Sequence, residues 1–371
     1  MLNKIYNSDR GLIVISFILL CFGLVMVYSS SAIFIGEKKD DPFFFLKKQF
    51  LWVCISLIFF MFFLSFDYRY LQKISWPSFI FISILLILLL FFGKQVRGAR
   101  RWFDLGPFDF QPSELAKFVV VLALANYFDT HKSKLKKISY GLIFPMMISG
   151  FISILILVEP DMGTPVVIIL SSYILFFVAG TKIEHLLLAV LLFIPFVILA
   201  ILIEPYRVER FIAFLNPWKY AKSVGYQLCQ SLISIGSGGI FGKGLGKSEI
   251  KEFFLPDAHT DFIFSIIGEE LGFFGTTFII LAFGYLLLRG YKISKNADNF
   301  FGTLLAIGIT LTIVIQAYIN IAVCSGCLPT KGIPLPFFSY GGSSLIFTLS
   351  AIGVLANISQ YRRKTVHLFF R

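Results

Sequence analysis

Long apolar runs, each close to the length of a membrane-crossing helix, divide this chain and limit what it can fold into. Of its 371 residues, 57% are hydrophobic and only 15% are charged. A soluble domain does not bury that much apolar surface, whereas a helix needs roughly 20 mostly apolar residues to cross the hydrocarbon core of a bilayer. The runs lack the two-residue alternation of membrane-spanning strands. The sequence therefore predicts an all-α polytopic membrane protein.

About ten apolar runs are predicted to be transmembrane helices. They cover residues 11–34, 47–66, 75–93, 113–128, 139–158, 163–180, 185–204, 271–289, 301–323 and 342–360. The first run is too long for the apolar region of a signal peptide, so it is predicted to be a retained helix. The chain is predicted to form one membrane domain over 1–371, with 205–262 as a large extracytoplasmic loop between helices 7 and 8.

The positions of Lys and Arg predict the orientation. The two sides of the ten-helix arrangement carry equal numbers of these residues, but the side with both termini has the shorter loops. Because positive charge in short loops decides orientation, both termini are predicted to be cytoplasmic. The net charge of +12 is not a nucleic-acid signal, since no basic helix or basic-aromatic alternation lies outside the membrane.

The opposite, extracytoplasmic side carries an unusual number of cations on the loops 94–112, 205–262 and 324–341. Arginine forms paired hydrogen bonds with phosphate oxygens and keeps its charge when partly buried. Together these cations could hold a diphosphate at the membrane surface. The alternative is that each contacts anionic lipid headgroups, an interaction worth about 1 kcal/mol. The candidates are Arg97, Arg100, Arg101, Arg207, Arg210 and Lys331.

Titratable residues are concentrated in the segment 256–275, which ends the large loop and enters the eighth run. The segment contains Asp257, His259, Asp261, Glu269 and Glu270. In so apolar a chain, this concentration at a membrane surface indicates either a solvated loop end or an active site facing the aqueous side. Glu269 and Glu270 are interpreted as capping groups of the next helix.

Two charged residues interrupt the fourth apolar run. Glu114 and Lys117 are three residues apart, so a helix places them on one face within pairing distance. Ionisable groups at membrane depth are costly, usually paired and often functional. A structural ion pair and a role beside the substrate both remain open, and one does not exclude the other.

The large loop contains a predicted interfacial helix and a glycine-rich run. Residues 225–235 have an amphipathic pattern, and the glycines after them permit tight turns and close approach of backbone segments. The run around Gly242 follows no parallel strand and lacks the ending of a phosphate-binding loop, so no nucleotide site is predicted. Cys324 and Cys327 have no second pair to complete a zinc ligand set, and no metal ligand is assigned.

Four spaced motifs resemble the signatures of the SEDS family (shape, elongation, division and sporulation), and the resemblance covers essentially the whole chain. The motifs lie at 255–264 with 268–272, at 326–344, at 100–106 with 111–117, and at 159–164. Features at 41–45, 204–207, 214–218, 256–259 and 329–332 resemble the cell-division arm of the family. The short N-terminus departs from many members of the division arm, and the chain length alone would suit the elongation arm. The motif features nevertheless favour the division arm.

The resemblance implies a peptidoglycan glycosyltransferase that polymerises lipid II, an undecaprenyl-diphosphate-linked disaccharide peptide, on the outer face of the cytoplasmic membrane. By motif match, Asp261 is the family's essential aspartate, which would deprotonate the sugar hydroxyl that attacks the donor. Supporting or substrate-binding roles fall to Glu114, Lys117, Arg100, Arg101, Arg207, Arg210, His259 and Lys331. No cofactor is certain, and a divalent cation (Mg²⁺ or Mn²⁺) is an alternative counter-charge for the leaving diphosphate.

The resemblance also implies partners: a class B penicillin-binding protein transpeptidase and other membrane proteins of the division machinery at the septum. Two other classes of function remain open, a lipid II flippase and a scaffold that activates the transpeptidase. Transporters commonly show internal repeats with broken helices in matched positions, and this sequence shows no such symmetry. The acidic residues at 257–261 argue against a pure scaffold, which has no need for them.

Overall fold

The fold is a bundle of long helices with a small sheet and several short helices at one end. The computed structural model describes residues 7–36, 43–96, 99–104, 106, 109–202, 205–248 and 260–361. Its α-helices are α1 (Arg10–Gly36), α2 (Phe44–Ser65), α3 (Arg69–Phe92), α4 (Pro112–Thr130), α5 (Phe144–Val158), α6 (Gly163–Ala179), α7 (Ile183–Leu202), α8 (Pro205–Leu215), α9 (Tyr226–Ser237), α10 (Ile263–Lys295), α11 (Phe300–Cys324) and α12 (Gly342–Gln360). The prediction of an all-α polytopic membrane protein is confirmed.

A helix occupies each of the ten predicted apolar runs, but the count of ten membrane spans stays a prediction. Among the described residues, seven helices are long and apolar enough to cross a membrane. Helices α6 and α7 are shorter in their apolar part. Helix α4 carries Glu114 and Lys117, and nearly all its residues beyond the first turn are buried. Because protein rather than lipid surrounds α4, it tolerates these charges.

The centre of the bundle is formed by α11 and α12 together with α4. In the apolar windows of α11 and α12, 83% and 78% of the residues are buried, against 28% for α2 and for α3. Helix α11 packs against α4, α6, α10 and α12. A helix that is apolar on every side is expected at such a central position. Helices α2 and α3 instead expose much of their apolar surface, as helices that face lipid do.

Helix α10 begins earlier than the predicted span, and a glycine breaks it. Gly272 has φ 64° and ψ −156°, a backbone conformation that only glycine adopts readily. The glycine-rich segment 238–246 lies against this break. There Lys243 N–H donates to the Glu269 carbonyl at 2.9 Å, and Phe273 N–H donates to the Gly239 carbonyl at 2.9 Å. These bonds satisfy backbone groups that the break would otherwise leave unpaired.

The close approach predicted for the glycine run is confirmed at two positions. A side chain at Gly238 would collide with the backbone of Gly268 and Glu269. A side chain at Gly242 would collide with the backbone of Glu270. A helix is also present at the segment predicted to be interfacial: it is α9, which lies beside α10. Its position at the membrane interface stays a prediction.

A small antiparallel sheet, which the sequence analysis did not predict, connects α3 to α4. Strand β1 (Lys94–Val96) pairs with β2 (Ala99–Asp104), and β2 pairs with β3 (Asp109–Phe110). The strands are short and lack a clear alternation of apolar and polar residues, so the sequence gives little sign of them. The sheet lies at the same end of the bundle as Asp261.

Candidate active site

Asp261 lies two residues before the start of α10 and is half-buried. Its carboxylate faces the chain at Gly332, where a Cβ atom would come within 2.7 Å of Asp261 Oδ2. The backbone carbonyl of Asp261 accepts a hydrogen bond from Asn320 Nδ2 at 2.7 Å. One residue earlier, the Thr260 carbonyl accepts a hydrogen bond from the hydroxyl of Ser339. The backbone on both sides of the carboxylate is therefore fixed by side chains from α11 and from the segment 330–339.

The segment 330–339 brings the start of α6 next to Asp261. A side chain at Gly163 would collide with Ile333, so the N-terminus of α6 lies directly against this segment. Asp161 orders that N-terminus: its Oδ1 accepts from Gly163 N–H at 2.9 Å and its Oδ2 accepts from the Thr164 hydroxyl at 2.7 Å. A carboxylate in this position caps a helix and complements its dipole. The resemblance motifs at 159–164 and 326–344 thus meet at the motif that contains Asp261.

Three of the predicted cations hold backbone carbonyls around this region. Arg100 donates to the Leu90 carbonyl at 2.8 Å, at the end of α3. Arg101 donates to the carbonyl of Pro160, after the end of α5. Arg210 donates to the Thr330 carbonyl at 3.1 Å. An arginine carries five N–H donors, so these bonds leave donors for other partners.

The predicted ion pair on α4 is confirmed and extends to the segment 330–339. Lys117 Nζ lies 2.9 Å from Glu114 Oε1, and both side chains are 3% exposed. Lys117 also donates to Gln316 Oε1 on α11. Gln316 Nε2 in turn donates to the Pro334 carbonyl at 2.8 Å. Glu114 Oε2 has no hydrogen-bond partner in the part of the chain that the structure describes.

Glu159 is a buried carboxyl that the sequence analysis did not single out. It is 1% exposed, and neither carboxyl oxygen has a hydrogen-bond partner among the described residues. Burial first, then the nearby carboxylate of Asp161, raise the pKa of Glu159 from 4.5 to about 9, with Arg101 acting in the opposite direction. The group is therefore neutral at pH 7. It lies in one of the resemblance motifs, which was its only sequence signal.

The interpretation of Glu269 and Glu270 as capping groups is wrong. The helix begins at Ile263, and both residues are fully buried within it. Glu269 accepts from Lys243 Nζ at 2.9 Å and from the Ser248 hydroxyl, and Glu270 accepts from the Ser29 hydroxyl. The glycine-rich segment covers what the sequence pattern indicated was an exposed loop end.

Of the remaining predicted site residues, two lie among the described residues and two do not. Lys331 lies half-buried in the segment 330–339, next to Gly332. Arg207 lies in α8. His259 and Arg97 lie outside the described residues. Within the described ranges, no group of three or more His, Cys, Asp and Glu side chains could hold a metal ion.

The sequence analysis missed the two amides of α11, Gln316 and Asn320. They are buried, and they are one turn apart in an otherwise apolar helix. That spacing was a usable signal, because a polar side chain inside a membrane bundle needs a partner. Their partners, however, are backbone carbonyls of a distant segment, which no residue pattern reveals.

Comparisons with known proteins agree with this arrangement. The family model described as "Cell cycle protein", FTSW_RODA_SPOVE, matches residues 10–364. "Probable peptidoglycan glycosyltransferase FtsW" of Geobacter sp. (strain M18) is 39% identical over 364 residues, covering 98% of this chain and 99% of that protein. "Stage V sporulation protein E" of Bacillus subtilis (strain 168) is 40% identical over 365 residues, covering 98% and 100%.

Two solved structures have the same fold. One is a chain from "Structural coordination of polymerization and crosslinking by a peptidoglycan synthase complex", with a TM-score of 0.81, 29% identity, and coverage of 95% of this chain and 97% of that chain. The other is the rod shape determining protein RodA of Thermus thermophilus, with a TM-score of 0.69, 28% identity, and coverage of 95% and 96%. The motifs, the helical bundle and these matches lead to one conclusion: this chain belongs to the SEDS family of FtsW, RodA and SpoVE, and it is most like FtsW.

Proposed function

We propose that this chain polymerises lipid II into glycan strands at the outer face of the cytoplasmic membrane during septal wall synthesis. The relatives named FtsW make it a peptidoglycan glycosyltransferase. The observation that carries the detailed proposal is the half-buried carboxylate of Asp261, fixed by hydrogen bonds to its backbone and flanked by two further family motifs. The donor is already activated by its lipid diphosphate, so the reaction needs no nucleotide sugar.

Asp261 acts as the general base in this proposal. The 4-hydroxyl of the acceptor sugar is a weak nucleophile until a carboxylate orients it and accepts its proton. The hydroxyl oxygen then forms a bond to the anomeric carbon of the donor, and the bond from that carbon to the diphosphate oxygen breaks. A base must be held in place, because a displacement of about 1 Å can cost about a hundredfold in rate. The contacts of Thr260, Asp261 and Gly332 support this role.

The cations near Asp261 would stabilise the leaving diphosphate. Arg101 and Arg210 each donate hydrogen bonds to backbone carbonyls, and these bonds fix their guanidinium planes near the segment 330–339. Donors fixed in advance stabilise developing charge better than mobile ones. Lys331 adds a further charge in the same segment. Arg100, Arg207 and His259 complete the proposed set, and Glu114 with Lys117 supports it from α4.

The proposed partner is a class B penicillin-binding protein that cross-links the new strands. Support comes from the fold shared with a chain of a peptidoglycan synthase complex in which polymerisation and crosslinking are coordinated. Further division proteins would join this pair at the septum, with both termini of the chain in the cytoplasm. The distribution of Lys and Arg supports that orientation.

The test is polymerisation of labelled lipid II by the purified protein with its cognate transpeptidase, comparing wild type with Asp261→Asn. We expect polymer from wild type and none from the variant, with transpeptidase binding unchanged. Asp298→Asn, which alters an exposed aspartate at the opposite end, is the matched control and should retain full activity.

Two outcomes would contradict the proposal. Equal polymer from wild type and Asp261→Asn would remove Asp261 from catalysis. No polymer from wild type with its partner bound would favour lipid II transport or scaffolding, and a lipid II flipping assay in vesicles would then separate those two.

A further inference from the structure

Helix α11 carries two buried amides that hold the two chain segments meeting at Asp261. Gln316 is 3% exposed and Asn320 is 1% exposed. They are four residues apart, so both lie on the same face of the helix. Around them the helix is almost entirely apolar. A buried amide in such surroundings is costly unless its hydrogen bonds are made, so what these two side chains contact indicates what they do.

Asn320 connects the backbone of Asp261 to the segment 330–339. Its Nδ2 donates one hydrogen bond to the Asp261 carbonyl and one to the Ile333 carbonyl, both at 2.7 Å. An amide nitrogen carries two hydrogens, so both of its donors are used. Asp261 and Ile333 are far apart in sequence, and this single side chain fixes the distance between their backbones. The carboxylate of Asp261 faces Gly332, the residue next to Ile333.

Gln316 holds the same segment one residue further on. Its Nε2 donates to the Pro334 carbonyl at 2.8 Å, and its Oε1 accepts from Lys117. A lysine ammonium only donates hydrogen bonds, so Lys117 must face the oxygen of the Gln316 amide and not its nitrogen. The buried pair of Glu114 and Lys117 therefore sets which way this amide points.

We infer that Gln316 and Asn320 are positioning residues that set the place of the Asp261 carboxylate relative to the segment 332–334. They act through the backbone and need not touch substrate. This inference rests on the proposed function, since it assigns a role within the same site. It also assigns a role to the buried Glu114–Lys117 pair on α4, because Lys117 orients Gln316. Gln316 and Asn320 together hold the segment 332–334 against Asp261.

The test compares Asn320→Leu, of similar size but without donors, with wild type in the complex with the transpeptidase. Because the change moves the base without removing a substrate contact, kcat for lipid II polymerisation should fall about ten- to a hundredfold with KM nearly unchanged. Gln316→Met should give a smaller loss of the same kind, since it holds the segment but not Asp261 itself.

Thr312→Val is the matched control. Thr312 lies one turn before Gln316 and is buried, but its hydroxyl donates only within the helix, to the Gly308 carbonyl at 2.9 Å. This variant loses a buried hydrogen bond of α11 without loosening the site. It should keep the kcat of wild type.

Hydrogen exchange supplies a readout that does not depend on activity. In Asn320→Leu, faster exchange confined to 260–264 and 332–336 supports the inference, even if wild type shows no polymerase activity and the proposed function fails. Faster exchange throughout the bundle would show a general structural role and overturn it. Unchanged kcat in both Asn320→Leu and Gln316→Met would also overturn it. If Asn320→Leu does not fold, Gln316→Met carries the same test.

Discussion

The two ends of the bundle are held together in different ways. At the end with Asp261, most connections between the long helices are long. Side chains bind backbone carbonyls there: Arg101 binds Pro160, Arg210 binds Thr330, and Asn320 binds Ile333. At the opposite end the connections other than 131–143 have three or four residues, and charged pairs are among the contacts that join the helices. There Arg289 on α10 pairs with Asp9, before α1, and Arg69 on α3 pairs with Asp298.

The difference follows from what each end must do. A short connection leaves few backbone groups unpaired, so helix caps and ion pairs suffice to join its helices. A site that admits a large lipid-linked substrate needs open connections, whose carbonyls must find other donors. The Asp261 end finds them in side chains that would otherwise be available for binding.

Lys117→Met should produce the largest loss of stability and activity, because Lys117 is the buried residue that orients Gln316 and thereby supports the Asp261 end. It leaves the Glu114 carboxylate buried without its cation, which typically costs about 3–5 kcal/mol. It also frees the Gln316 amide, so polymerisation should fall as well. Thermal unfolding in detergent, with polymerisation measured in parallel, tests this.

Adding Glu114→Gln to Lys117→Met tests the cause of that loss. Without the uncompensated charge, much of the stability should return, whereas activity should stay low because nothing orients Gln316. Equal stability of Lys117→Met and wild type would show that the pair is not buried as described.

Glu159→Gln should stabilise the Asp261 end by an amount that depends on pH. The folded protein holds the pKa of Glu159 near 9, above its ordinary 4.5, so folding favours the protonated acid. The contribution of Glu159 to stability is therefore fully present below pH 4.5 and is lost as the pH rises towards 9, by up to about 1.4 kcal/mol per pH unit. The amide does not ionise, so its advantage over wild type should grow from pH 5 to pH 9.

Melting temperatures of wild type and Glu159→Gln at pH 5, 7 and 9 measure this difference. Parallel curves for the two proteins would mean that the Glu159 carboxyl reaches water or a cation in the folded state.

Asp9→Asn tests the opposite end at its strongest pair. The Asp9 carboxylate accepts from Arg289 Nε at 2.8 Å and from Leu12 N–H at 2.9 Å, so it joins α10 to the start of α1. Its side chain is 4% exposed, while that of Arg289 is 23% exposed and can still reach water. We expect a loss of about 2 kcal/mol in stability. In contrast to Lys117→Met, kcat should not change, and a fall in kcat would show that the two ends are coupled.

Asp298→Asn should have the smallest effect. Asp298 pairs with Arg69 at 2.8 Å, but both side chains are 46% exposed. Exposed pairs contribute about 0–1 kcal/mol, and salt weakens them further. The melting temperature should change little at physiological salt. A loss as large as that of Asp9→Asn would mean that the pair is shielded from solvent by the membrane or a partner.

Much of the fold could be predicted from the sequence, because the length and hydropathy of apolar runs identify membrane helices. The paired Glu114 and Lys117 and the helix α9 followed from spacing alone. The start of α10 did not. Residues 263–270 include two glutamates, which suggest an exposed loop end. Their burial depends on partners distant in sequence, which are Lys243 and Ser248 for Glu269 and Ser29 of α1 for Glu270.

The candidate site was predictable only in part. Motif resemblance pointed to Asp261, but Gln316 and Asn320 escaped notice because their partners are backbone carbonyls rather than particular side chains. Glu159 was missed for a related reason. Its raised pKa arises because elements distant in sequence bury it, and no local residue pattern predicts that burial. Residue types predict chemistry well, but they predict the positions of backbone groups poorly.

The break at Gly272 also separates two parts of α10 that have different requirements for insertion into the membrane. Residues 273–295 alone exceed the roughly 20 residues that a membrane span needs, so this part of α10 can insert without residues 263–271. The earlier half carries two carboxylates whose partners lie on α1 and in the glycine-rich segment, and it can settle only when both are present. Asp261 stands two residues before that half. A newly inserted chain would therefore hold Asp261 in its final position only after the rest of the bundle has closed.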